Sequence, residues 1–291
     1  MRKLLFTVEP EWDGVRTDTY LKRKGFSRRL LVELKHSPGG ITRGGETLRT
    51  VDILRAGDTL LLHMAGDSRT PRPNTGLSVP VVYEDEDVVV FSKPPGMPVH
   101  PSQGHRNDTL ANAFAVRCPG LSFRPVNRLD RDTSGLCVAA KNAHAASRLQ
   151  HSLKKVYFAV LCGTLEGNGV IDAPIARAEG SIIRRRVSAE GKRAVTEYAV
   201  LASGNGHTLV RALLHTGRTH QIRVHFSHMG FPLAGDDLYG GSVRDTQVQA
   251  LHCGRAAFMH PVSGEPVELA LPLREDMLRL MGGLGGSEIT L

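Results

Sequence analysis

Apolar and polar positions change period several times along the chain, and each change marks an element. Ser27 can cap a helix over RRLLVELK, with Phe26 before the cap and Leu31 four positions after it forming a hydrophobic staple, and the helix stops at SPGG. The following GITRGGETLRTVDILRAGDTLLLHM alternates Gly/Asp turns with short apolar runs, the pattern of a small strand meander. Further on, VVYEDEDVVVFSKP reads as two β-branched strands joined by an acidic turn, and TEYAVLASGNGHTLVRALLH as a longer hairpin turning at Asn205-Gly206. Between these antiparallel pairs Asn142 can cap AHAASRLQHSLKK, where Ala146, Leu149 and Leu153 return at helical spacing, and the strand VYFAVLCG follows. Strands dominate and the helices follow no βαβ rhythm, so the predicted class is α+β, with a mixed, mainly antiparallel sheet.

The segment SRTPRPNTGLSVP, residues 68 to 80, has three prolines, a glycine and no apolar period, and reads as a linker. A chain of 291 residues has room for two domains. The expected division is a small module over residues 1–66, a linker over 67–79, a larger domain over 80–280 and a frayed Gly-rich tail over 281–291.

Charge changes this picture. The chain carries 37 basic against 29 acidic residues, a net +8 with an isoelectric point of about 9.6, which favours polyanionic partners. Residues 16 to 55 alone hold ten Lys/Arg against four Asp/Glu, so the small module is expected to present an RNA-contacting surface. The opening MRKLLFTVEPEW is stopped by Glu9 and Pro10 before it can form a secretory apolar region, and no apolar run approaches the roughly 20 residues that span a bilayer. Cys118, Cys137, Cys162 and Cys253 lie far apart, which points to neither a zinc ribbon nor a disulfide framework. The expected compartment is a reducing cytoplasm.

The candidate chemistry centres on NRLDRDTSG, residues 127 to 135. Asp130, Asp132, Ser134 and Gly135 match the first ligand positions of an EF-hand, but the closing position is Lys141, which supplies no oxygen and repels a cation. A purely structural turn, with the two acids paired to Arg128 and Arg131, is the other simple reading. His215, His220, His225 and His228 form a cluster without metal-ligand spacing; in a helix over 219–229 ended by Gly230, His225 and His228 share a face and His220 sits elsewhere. No metal site is expected. Arg184-Arg185-Arg186, with Lys192-Arg193 across a turn, is either a basic hairpin touching phosphates or a solvated loop. Phosphate-binding, dinucleotide-binding and serine-esterase motifs are all missing.

Two resemblances organise these features. From Thr17-Asp18-x-Tyr20-Leu21 through Ser27-Arg28-Arg29 to Gly57-Asp58-x-Leu60 the first module resembles the alpha-L RNA-binding motif of a ribosomal protein, with Thr42-Arg43-Gly44-Gly45 where that motif has Val-Asn-Gly. The larger domain resembles the RluA-type pseudouridine synthases through three motifs in the family's order. They are Arg128-Leu129-Asp130-x-x-Thr133-Ser134-Gly135-Leu136, Lys155-x-Tyr157-x-Ala159-x-x-x-Gly163, and the run Thr216-Gly217-Arg218-Thr219-His220-Gln221-Ile222-Arg223-Val224-His225 continuing to Gly235-Asp236-x-x-Tyr239-Gly240. Asn127 stands where the family has histidine.

The resemblance implies isomerisation of uridine in structured RNA, with no cofactor and no metal. That reaction needs a carboxylate able to attack the ribose or take a proton from it, and a group able to move a proton. By the family pattern Asp130 is the carboxylate, Arg223 its cation, and Tyr157 the group that takes the carbon-5 proton and stacks on uracil. The base must be flipped out of the stack, and Arg128 is expected to fill the gap. The expected RNA contacts are Arg128, Arg218, His220, Arg28, Arg29, Arg184, Arg185 and Arg186. Large-subunit ribosomal RNA is favoured over transfer RNA as partner, because related enzymes with an extra N-terminal module act there. The protein is expected to be monomeric and not bound to membrane. The rival reading is a non-catalytic RNA-binding or ribosome-assembly factor on the same fold.

Overall fold

A computed structural model describes residues 2–64, 71–244 and 246–282; the expected tail from residue 283 and residues 68–70 of the Pro-rich segment lie outside the described residues. The chain begins with β1 (Arg2–Thr7), α1 (Thr17–Arg23), α2 (Arg28–His36), β2 (Ile41–Arg43), β3 (Glu46–Thr47) and β4 (Thr59–Met64). These strands form a four-stranded sheet in the order β1-β4-β2-β3, antiparallel throughout. Ser27 Oγ accepts the Leu30 N–H at 3.3 Å, the cap expected of it. Tyr20, Leu21, Leu30, Leu34, Leu54, Leu60 and Leu62 are buried together under the sheet.

Two features of this unit differ from the pattern reading. The opening apolar run becomes a strand, β1, paired along its length with β4. Residues 49–58, expected as part of the meander, turn instead, because Asp52 and Asp58 accept the N–H groups of Arg49 and Arg55 at 2.8 Å and take them out of any ladder.

The rest of the chain runs β5 (Val81–Glu84), β6 (Val88–Lys93), α3 (Leu110–Arg117), β7 (Arg124–Pro125), β8 (Ser134–Ala140), α4 (Ala143–Ser152), β9 (Lys154–Cys162), β10 (Gly169–Asp172), β11 (Ile175–Arg177) and β12 (Arg185–Val187). It continues through β13 (Val195–Gly204), β14 (His207–Leu214), α5 (Gln221–His228), β15 (Leu251–Met259), β16 (Pro266–Ala270) and α6 (Glu275–Leu280). A ten-stranded sheet has the order β10-β13-β14-β9-β15-β8-β6-β5, with β16 beside β15 and β7 beside β8; β11 and β12 form a separate hairpin. The class is α+β, as expected, and the hairpins at 81–93 and 195–214 pair as the alternation predicted. Residues 71–80 lie against α3, with Asn74 Nδ2 on Asn107 O at 2.7 Å and Asn112 Nδ2 on Arg72 O at 2.8 Å. No helix among the described residues is long and apolar enough to cross a membrane.

One seam of the large sheet is parallel. β8 meets β15 through His252↔Ser134 and Cys253↔Gly135, immediately after the loop that carries Asp130. Gly135 has φ +111°, and a Cβ there would lie 2.3 Å from the Cys253 carbonyl oxygen, so the approach requires glycine. Behind the seam, His252 Nδ1 bonds Ser134 Oγ at 2.8 Å, and that hydroxyl also takes an N–H from Arg274 at 3.0 Å.

The N-terminal unit rests against the larger one through polar and stacking contacts. Arg2 makes a bidentate pair with Asp87, at 3.0 and 2.8 Å, and Phe26 stacks on His144 with ring centroids 4.3 Å apart. His144 and His252 are both buried, each with one ring nitrogen lacking a partner among the described residues, and burial brings both down to about 4. Between about pH 6.5 and 4 the unfolded chain therefore binds protons that the folded chain refuses, so stability falls as pH falls through that window. Urea titrations at pH 7 and 4.5 should show a loss of a few kcal/mol, and His144→Phe should recover part of it. An equal loss in parent and variant would exclude His144 as its source.

Candidate active site

Asp130 lies in the loop between β7 and β8, at the floor of a cleft of about 640 Å³ that Arg128, Lys155, Tyr157 and Arg218 also line. The loop is fixed from three sides. Asn127, 5% exposed, donates from Nδ2 to Leu136 O at 3.0 Å and accepts the Val138 N–H at 2.8 Å, spending its amide on β8. Lys93 at the end of β6 is 1% exposed and donates to the carbonyls of Pro94, Met97 and Arg131 at 2.7, 2.7 and 2.9 Å. Burial lowers this ammonium to about 8, and its three acceptors tie the loop to residues 94–97. The third restraint is the parallel seam at Gly135.

Arg223, on α5, reaches Asp130 Oδ2 with Nη1 at 3.1 Å. Its other edge is held by Asp236, with Nε to Oδ2 at 2.7 Å and Nη2 to Oδ1 at 2.8 Å. The guanidinium carbon lies 5.0 Å from the Tyr239 ring centroid. Burial works against this cation, but the bonds and charges of Asp236 and Asp130 outweigh it and hold the guanidinium above its ordinary value. A planar fork bonded on two edges has little freedom left, so Asp130 meets a donor of fixed direction.

His220 caps α5 in the left-handed region, at φ 58°, a costly position for a non-glycine residue. Its Nδ1 bonds the Tyr239 hydroxyl at 2.8 Å, while Nε2 lies 3.9 Å from Asp130. Burial lowers this imidazole below its usual value, more than the nearby Asp130 raises it. Gln221 shapes the turn before it, accepting from Thr216 Oγ1 and Arg218 N and donating to Val195 O and Thr196 Oγ1. Tyr157 on β9 is 6% exposed, and burial, with the nearby Cys253 and Asp130, pushes its hydroxyl well above the ordinary phenol value. At neutral pH it is a phenol.

The structure brings Asp130, Tyr157, Arg128 and Arg218 to one cleft, with Arg223 buried outside its lining but bonded to Asp130, and His220 packed beside Asp130. Arg28 and Arg29 lie exposed on α2, away from it. Arg184, Arg185 and Arg186 line a separate cleft beside α5 that Tyr239 also lines, its hydroxyl accepting the Arg185 N–H at 2.9 Å. His225 and His228 share a face of α5 as expected but differ in exposure: His225 is buried on Thr196 Oγ1 and Ala173 O, while His228 is exposed beside the arginine hairpin. One reading is corrected. The simple turn pairing holds only for Arg131, which binds Asp132 at 3.0 Å; Arg128 faces the cleft.

Asp236, Tyr239 and Lys93 were given no role from sequence. For Asp236 the available signal was an acid that follows the arginine helix inside an otherwise Gly-rich motif. For Lys93 it was a lysine closing an apolar strand just before Pro-Pro-Gly.

The family model described as RNA pseudouridylate synthase matches residues 87–228. Ribosomal large subunit pseudouridine synthase D of Xanthomonas campestris pv. campestris is 39% identical over 282 residues, covering 89% of this chain and 85% of that one. An uncharacterized RNA pseudouridine synthase of Bacillus subtilis is 37% identical over 299 residues, covering 98% of this chain and 99% of its own. The structure of human RNA pseudouridylate synthase domain containing 1 is similar with a TM-score of 0.57 at 28% identity, over 69% of this chain and 86% of that one. The chain belongs to the RNA pseudouridine synthase family. It is an isomerase, and its substrate is uridine within RNA.

Asp236→Asn tests the clamp on Arg223. Removing one partner of a buried pair should lower stability by about 3 kcal/mol and the single-turnover rate by about a hundredfold. Thermal unfolding and a rapid-quench assay measure the two effects, and a parent-like rate would show that Asp236 does not orient Arg223 for the reaction.

Proposed function

We propose that this protein converts a uridine of large-subunit ribosomal RNA to pseudouridine through Asp130, with Arg223 and Tyr157 as its partners. The substrate class rests on the Xanthomonas campestris relative named above and on a Pseudomonas aeruginosa relative 38% identical over 266 residues, both ribosomal large subunit pseudouridine synthases. The single observation that carries the catalytic assignment is the Asp130 carboxylate on the cleft floor, 3.1 Å from a guanidinium that is itself clamped.

The reaction is balanced within the substrate. The bond from ribose carbon 1′ to uracil N1 breaks, the base turns, and carbon 1′ joins carbon 5. The proton on carbon 5 leaves, and N1 gains one. Asp130 starts this sequence, either by attacking carbon 1′ or by taking a ribose proton, while Arg223 holds its Oδ2. Arg223 keeps the carboxylate ionised and aimed before it reacts, and pairs with its charge again when Asp130 is released. Tyr157 enters as a phenol, so it accepts the carbon-5 proton only as its own hydroxyl proton passes on towards the N1 that must gain one; it is a relay under the flipped base. Arg128, facing the cleft, fills the gap left by the base.

Arg218 at the cleft, Arg184 to Arg186 beside it and Arg28 and Arg29 on α2 serve as phosphate contacts. His220 acts from beside Asp130 by holding Tyr239. The protein works as a monomer in a cytoplasm, a compartment that suits its four unpaired cysteines.

Ribosomal and transfer RNA carrying uridine tritiated at carbon 5 test this reading. The parent should release tritium from ribosomal RNA without added metal, and Asp130→Asn should reduce release by at least a thousandfold, the scale of an essential nucleophile or base. Release from transfer RNA alone would overturn the substrate assignment. A parent-like rate in Asp130→Asn would overturn the role of Asp130.

A further inference from the structure

The junction of the two sheets contains a cleft of about 510 Å³ that the reaction does not use. One wall comes from the N-terminal unit, with Lys22, Gly25 and Ser27, and the other from α4, with Ser147, Arg148 and His151. Every titratable residue lining it is a base; no carboxylate does. Lys22 is paired to Asp18 at 3.3 Å outside the cleft, whereas Arg148 makes no ion pair among the described residues. The walls touch closely, since a Cβ on Gly25 would lie 2.3 Å from Arg148 Cδ, and Gly25 has φ +92°. At the junction Phe26 is stacked on the buried His144.

The helices that line this cleft also carry residues on neighbouring surfaces, although it shares no lining residue with the Asp130 cleft. Ser27 caps α2, whose first residues Arg28 and Arg29 are exposed, and α4 also places Gln150 in the wall of the Asp130 cleft. The Arg2–Asp87 pair holds the junction at a second point, with Glu86 adding to it. The group Asp85, Asp87 and His260 beside this latch has the spacing of metal ligands, yet its atoms already serve protein bonds. Asp85 accepts from Tyr83, His260 and two backbone N–H groups, and Asp87 accepts from Arg2 and Asn142.

We propose that the junction cleft binds backbone phosphate of the same RNA whose uridine enters the Asp130 cleft. The N-terminal unit is then one wall of a continuous track, and its docked position is part of RNA recognition. The inference rests on the chain being an RNA-modifying enzyme. Phosphate fits the site because it offers a compact, multiply charged acceptor to a guanidinium without an ion pair among the described residues, an imidazole and the hydroxyls of Ser27 and Ser147, and no acid lines the cleft.

The test uses the full-length protein and two RNAs: a folded fragment of large-subunit ribosomal RNA and a short single strand that spans only the Asp130 cleft. Arg148→Glu and His151→Glu should each weaken the folded fragment by about tenfold and lower the slope of log affinity against log salt by about one. Arg148→Gln should do so less, and the short strand should be held as by the parent. Arg2→Ala, which opens the latch without entering the cleft, should weaken the folded fragment in the same direction. Melting temperatures matching the parent separate these effects from unfolding. Parent-like affinity and salt slope in both Glu variants would overturn the proposal, as would equal weakening for both RNAs. Tritium release reads separately: a parent that releases none while Arg148→Glu still loses folded RNA leaves the phosphate site standing and removes the isomerase reading.

Discussion

The site depends on a single cation held between two acids. Arg223 is 7% exposed, and a guanidinium at that depth is tolerated only because Asp236 accepts two of its N–H groups and Asp130 a third. Asp236 is 1% exposed, so its charge is equally dependent on the pair. The consequence for function is directional. Asp236 and the Tyr239 ring fix the plane of the guanidinium, and the edge left over points at the carboxylate that faces the cleft. Asp130 is therefore oriented by a group that cannot swing away.

The sheet supplies the opposite half of that alignment. The Asp130 loop is anchored after its end by the parallel β8–β15 contact, before its start by Asn127 on β8, and beneath by Lys93. Each anchor uses a polar group that burial would otherwise make costly, and each is satisfied. Asn127 bonds like an extra peptide unit on β8, donating to Leu136 O and accepting the Val138 N–H.

Much of this was legible in the sequence. The two hairpins, the caps at Ser27 and Asn142 and the α+β class followed from alternation and turn chemistry, because those signals are local. The grouping of Asp130, Tyr157 and Arg223 came from motif order, since no periodicity brings residues so distant in sequence to one cleft. What escaped were features decided by tertiary context. The pairing of β1 needs β4, over 50 residues away, and its own short apolar run carries no hairpin turn. Asp236 and Lys93 gain their roles only when burial leaves them a single set of partners. The exposure difference between His225 and His228 follows from how α5 packs on β13 and the arginine hairpin, which helical spacing alone does not encode.

The account stands on Arg223 acting on Asp130 from the place where Asp236 holds it. A double-mutant cycle on single-turnover rates, with Arg223→Lys and Asp236→Asn alone and together, measures that dependence directly. If the two residues form one device, the double variant should be no slower than the slower single variant, within about threefold, because the second change removes nothing that the first has left. Rate losses that multiply, so that the double variant is slower by the product of the two, would mean that the residues act independently and would contradict the account.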